Sequence, residues 1–134
     1  MASIKDIEGV GDSYAVKLQA AGVKTTDALL KEGATPKGRK ALAEKTGITE
    51  KMILEWVNHV DLYRIDGVGS EYSDLLEEAG VDTVVELANR NPENLFKMLE
   101  DSNAKKKLVR KLPTAKQVKD WVDQAKKLPR VVSY

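Results

Sequence analysis

The sequence predicts an all-α fold made of two copies of one helical unit, packed as a pseudo-two-fold single domain. Three observations predict it. First, Ile7-Glu8-Gly9-Val10-Gly11 returns 58 residues later as Ile65-Asp66-Gly67-Val68-Gly69. Second, the match holds register through Tyr14 and Tyr72, Leu18 and Leu76, Ala21-Gly22-Val23 and Ala79-Gly80-Val81, Thr25 and Thr83, and Leu29 and Leu87. Chance does not hold register over about twenty residues. Third, apolar residues recur at spacings of three and four, and no stretch alternates as a strand would. Further on, past a small insertion in the second copy, Thr49, Ile53, Trp56-Val57 and Val60 answer to Thr114, Val118, Trp121-Val122 and Ala125. The copies are residues 1–63 and 64–134, each too short to form a robust core alone and expected to pack together.

The elements follow in order. A helix starts after each Gly-Val-Gly; in the first copy Leu18 lies four residues after Tyr14, and Gly22 ends the helix by supplying a left-handed conformation. Thr25 and Thr83 are N-caps for the next short helices, the second reinforced by Glu86 in a Thr-x-x-Glu capping box. Thr35-Pro36 and Asn91-Pro92 each join an N-cap to a proline at the first helical position, where a missing N–H costs nothing. The last helix of each copy, from about Thr49 to Leu62 and from Thr114 to Leu128, is the clearest amphipath. Its tryptophan could stack on a nucleobase, but a Trp on a 3.6-period apolar stripe belongs to the core. The expected core therefore includes Ile7, Leu18, Leu29, Trp56, Leu76, Leu87 and Trp121. The final helix, bracketed by Pro113 and Pro129, is expected beside the first Gly-Val-Gly, and residues 130–134 form an extended tail.

Composition narrows the function classes. At 134 residues, with 42% hydrophobic and 32% charged content, the chain reads as one soluble globular domain. It has no cysteine, hence no disulfide framework and no thiolate chemistry. The beginning Met-Ala-Ser-Ile-Lys-Asp lacks the apolar core of a signal peptide, and no apolar stretch approaches the roughly 20 residues that span a bilayer. The expectation is a cytoplasmic protein with no membrane partner. The net charge of +1 conceals an uneven distribution: residues 64–103 hold ten acidic and three basic side chains, residues 104–134 ten basic and two acidic. Such segregation marks a partner surface, or faces that attract each other; solvated helix faces are the plain alternative.

Glycines in Gly-x-Gly between helices let the backbone turn tightly, adopt positive φ and approach another atom without a Cβ in the way. A helix starting just after the second glycine directs free N–H groups and the positive end of its dipole outward, which suits an anion. The pattern Ile7-Glu8-Gly9-Val10-Gly11 through Ala15 and Leu18 resembles the helix-hairpin-helix family; the second copy has Ser73 in the small-residue place and Leu76 as the last apolar position. That resemblance implies backbone amides laid against DNA phosphates without sequence reading, two hairpins acting as a pair, and in some members a monovalent cation held by hairpin carbonyls. The following Ala-Gly-Val-x-Thr-x-x-x-Leu stretch resembles part of the DNA-binding C-terminal domain of the RNA polymerase α subunit. Over nearly its whole length the chain resembles an uncharacterised family of small proteins with this repeated layout. The candidate binding turns are Gly9, Val10 and Gly11, and Gly67, Val68 and Gly69.

The turns depart from the DNA-binding pattern. Asp12-Ser13 and Ser70-Glu71 stand where Pro, Lys or Arg is usual, and Glu8 and Asp66 precede the first glycines. From Arg64 to Asp82 there are six acidic residues and one basic, which opposes phosphate binding and makes the second hairpin a poor DNA reader. Lys105, Lys106, Lys107, Arg110, Lys111, Lys116 and Lys119 form a candidate basic patch for nucleic acid or an acidic partner. Enzyme readings have less support. Gly-Val-Gly lacks the third glycine and the preceding strand of a dinucleotide fingerprint, and Gly33-Ala34-Thr35-Pro36-Lys37-Gly38-Arg39-Lys40 misplaces the lysine of a P-loop and reads as a capped helix start. His59 is the only histidine, reads as a helix-surface residue, and makes neither a zinc site nor a triad. No catalytic residue, metal, cofactor or small-molecule substrate is indicated. Two readings remain: a non-catalytic protein-interaction or assembly element, including self-association, which sequence slightly favours, and sequence-nonspecific DNA binding.

Overall fold

The structure is a computed structural model describing residues 3–7 and 9–134. After a 3-10 turn at Ile4–Asp6 come eight α-helices among the described residues. These are α1 Asp12–Ala20, α2 Thr26–Gly33, α3 Pro36–Thr46, α4 Glu50–Leu62, α5 Ser70–Glu78, α6 Val84–Ala88, α7 Pro92–Lys106 and α8 Ala115–Lys127. The β-structure among these residues is a single isolated bridge, Ser3 to Thr25. The chain divides into two compact units, one of Met1–Asp61 with Val131–Tyr134, the other of Leu62–Arg130. The boundary falls two residues before the repeat boundary read from sequence, and the tail belongs with the first unit.

Caps set the helix starts. Thr25 Oγ1 accepts from the Ala28 amide at 3.1 Å and Thr35 Oγ1 from the Gly38 amide at 3.1 Å. The Asn91 side chain accepts from the Asn94 amide at 3.0 Å, with Pro92 following as predicted. Thr83 caps α6, but Glu86 does not close the predicted box. Its Oε2 accepts from the Asp82 amide at 3.0 Å, one residue ahead of the cap. The predicted ending of the first helix holds, with Gly22 at φ +89°.

Each unit has its own buried apolar set. Ile7, Leu18, Leu29 and Trp56 are buried in the first; Leu76, Leu87 and Trp121 are buried in the second. In the second unit α8 packs against α6 and α7, and α5 against α7. The apolar face of α8, Val118, Trp121, Val122 and Ala125, lies within that unit's own cluster. The periodic stripe of α8 is thus occupied by the unit in which it folds. The reading of His59 is corrected, since it is 6% exposed rather than a surface residue.

Gly38 has a stereochemical role in α3. Glycine to alanine inside a helix normally stabilises by about 1 kcal/mol. A Cβ here would lie 2.0 Å from the Glu32 carbonyl oxygen. Gly38→Ala is therefore expected to destabilise by about 2 kcal/mol, since backbone must shift to admit it, and urea denaturation would read that reversed sign.

Candidate functional site

The two Gly-Val-Gly turns share a local geometry. Gly9 has φ +88° and Gly67 φ +96°, backbone that only glycine adopts freely. The Val10 amide donates to the Ile7 carbonyl and the Val68 amide to the Ile65 carbonyl, both at 3.1 Å. Val10 and Val68 are buried, whereas the four flanking glycines are exposed. Gly11 and Gly69 are the N-caps of α1 and α5, with no side chain to satisfy the first-turn N–H groups. The other six α-helices each have a side-chain cap from Thr or Asn. The first-turn amides of α1 and α5 thus have no side-chain cap from Gly11 or Gly69, and the positive end of each helix dipole lies at its turn. Glu8 lies outside the described residues.

A tryptophan buttresses each turn from behind. Tyr14 and Trp56 meet at 5.3 Å between ring centroids and 58° between planes, Tyr72 and Trp121 at 5.2 Å and 52°. A Cβ on Gly9 would sit 3.6 Å from Trp56 Nε1, and one on Gly67 only 3.1 Å from Trp121 Nε1. Gly67→Ala is expected to cost about 2 kcal/mol from its positive φ and this contact together, and more than Gly9→Ala, in paired denaturant melts. The second turn has a further clamp. Gln124 Oε1 accepts from the Asp66 amide at 2.8 Å while Gln124 Nε2 donates to the Asp66 carbonyl at 3.2 Å.

The basic patch divides into three places. Lys105 and Lys106 lie in the last turn of α7, where cations complement the helix dipole, and Lys107 is its left-handed C-cap at φ +52°. Lys116 and Lys119 line, with Asn91, Pro92, Glu93 and Ala115, a depression of about 470 Å³. Arg110 and Lys111 instead join the second turn. They line, with Gly67, Gly69, Ser70, Glu71 and Tyr72, a depression of about 410 Å³.

Two side chains hold that loop in place. The Asn103 amide accepts from the Val109 N–H at 3.0 Å and donates to the Val109 carbonyl at 3.3 Å. The Tyr72 hydroxyl donates to the Lys111 carbonyl at 3.0 Å. Val109 is buried while Arg110 and Lys111 are exposed, so the backbone is anchored on both sides of two outward cations. Sequence reading missed Tyr72, Asn103 and Gln124 as positioning residues. Tyr72 carried the one available signal, its match with Tyr14 at the repeat offset. By the first turn, Lys5 is exposed and the Lys17 ammonium lies 5.8 Å over the Tyr14 ring.

A family described as "Domain of unknown function (DUF4332)" matches residues 8–128. The chain belongs to that family. The match takes in both turns and the whole basic segment, so the site lies inside the family's domain. No curated protein and no solved structure matches the chain. Among the described residues no helix is long and apolar enough to cross a membrane, and no three His, Cys, Asp or Glu side chains are gathered to hold a metal ion.

Proposed function

We propose that this DUF4332 chain is a non-catalytic module that grips the phosphate backbone of nucleic acid without reading sequence, chiefly through its second turn. The observation that carries the reading is the shared depression of Gly67, Gly69, Ser70, Arg110 and Lys111. Uncapped amides at the start of α5 supply hydrogen-bond donors, and two cations beside them supply the counterion release on which phosphate affinity rests. Glu71 in the same lining opposes binding, so affinity is modest and strongly salt-dependent. The acidic character of residues 64–82 weighs against this turn, and Arg110 and Lys111 beside it support the reading. We further read the two units as diverged copies of one helix-hairpin-helix unit, supported by the paired glycine torsions, uncapped helix starts and Tyr–Trp contacts.

The test is fluorescence anisotropy with a labelled DNA duplex at low and at physiological salt. Micromolar binding that falls steeply with salt is the expected result; no binding at low salt would overturn it. The second reading, a protein-interaction or assembly element, rests on the opposite charges of residues 64–103 and 104–134. The large apolar side chains exposed among the described residues, Val16, Met98, Val131 and Tyr134, are few for the apolar centre of a stable interface. That partner would be bound by charge, and a cytoplasmic setting suits either reading.

A further inference from the structure

Residues 131–134 are docked on the first unit. The Ser133 N–H donates to the Ala34 carbonyl at 2.8 Å. Arg39 Nη2 donates to the Ser133 carbonyl at 2.7 Å, and Nη1 to the Gly33 carbonyl at 2.9 Å. The Tyr134 hydroxyl donates to Asn58 Oδ1 at 3.4 Å. Val132 is 3% exposed, Arg39 4% and Asn58 9%. Desolvation lowers the pKa of Arg39 from the ordinary arginine value, an effect that Tyr134 and Glu50 oppose.

These contacts form a built recognition site. Both main-chain groups of Ser133 are read, by the Ala34 carbonyl and by a buried guanidinium whose orientation the Gly33 carbonyl sets. The side chain of Val132 is covered. A charge-assisted hydrogen bond from a buried cation is among the stronger kind, and Arg39 left without its acceptor would be costly. The groove therefore favours being filled by a peptide segment. The segment that fills it is joined to the end of α8 by residues 128–130.

We propose that this face of the first unit is a docking groove for a peptide segment, filled by the chain's own residues 131–134 and, by exchange, by the same residues of a second copy. The occupant needs no new chemistry, because an identical segment offers identical hydrogen bonds and the same valine. Exchange of a short element through a brief connection is a low-cost route to a dimer. A four-residue strap opens locally at less cost than global unfolding. The inference is independent of the phosphate reading, since it uses different residues.

Two variants test it by complementation. Val132→Asp expels the segment and leaves the groove intact; Arg39→Met breaks the groove and leaves the segment free. Each alone should sediment as a monomer, and a 1:1 mixture should form a heterodimer. Where either variant fails to fold, Ser133→Pro replaces Val132→Asp and the peptide Arg-Val-Val-Ser-Tyr replaces Arg39→Met. That peptide should shift the Ala34 and Arg39 amide resonances of the segment-expelled chain. It should bind this chain about tenfold or more tighter than the wild type, whose groove is already occupied. No heterodimer from two folded variants, or a peptide that binds both chains equally or neither, would overturn the proposal.

Discussion

Neutralising Arg110 and Lys111 together as Arg110→Gln/Lys111→Gln is expected to weaken duplex binding more than neutralising Lys105, Lys106 and Lys107 together. If net charge alone governed binding, the triple variant would do more harm, because it removes three positive charges and the double removes two. Geometry predicts the reverse order. Lys105 and Lys106 balance the end of the α7 dipole, whereas Arg110 and Lys111 line the depression at the second turn. Losing two phosphate contacts should lower the slope of log affinity against log salt by about two units. A triple variant that binds more weakly than the double, with the larger loss of slope, would move the contact away from the second turn. Tyr72→Phe gives the milder companion: it frees the Lys111 carbonyl, keeps every charge, and should reduce affinity without changing the number of phosphate contacts.

The largest loss of stability is expected from Trp121→Ala. Its side chain is 2% exposed, packs against Tyr72 and lies behind Gly67. Truncating a buried aromatic of this kind costs about 3–5 kcal/mol, a large fraction of the whole stability of a small protein. Trp121→Phe should cost much less, since a ring remains against Tyr72. The contact with Gly67 adds a sharper test. In a Trp121→Ala background, Gly67→Ala should lose its steric cost and keep only the cost of its positive φ. The double-mutant cycle should therefore show a coupling of about 1 kcal/mol. Strict additivity would mean that indole and turn do not support each other.

Much of the fold was legible because local rules decide it. Thr25, Thr35, Asn91 and Thr114 cap helices through atoms three residues away, so the sequence window contains both partners. Trp56 and Trp121 were assigned to the core from periodicity, and they lie there. His59 was misread because a lone histidine beside core positions looks like a boundary residue, while its burial depends on what packs over α4. Arg39 entered the sequence reading only as the wrong residue in an imitation of a P-loop, yet it anchors residues 131–134 from 94 positions away.

What the sequence determined by itself is the all-helical class, the helix starts and ends, and the two Gly-Val-Gly turns, all governed by spacing and by backbone preferences within about four residues. What only the tertiary structure decided is which charges meet which turn. Along the chain, Arg110 and Lys111 lie some forty residues from Gly67 and beyond an acidic block; in space they share one depression with it. The reason is physical. Helix signals arise from contacts between near neighbours, whereas a site is assembled by burial of residues such as Val109 and by long-range anchors such as the Tyr72 hydroxyl, whose partner no local pattern names.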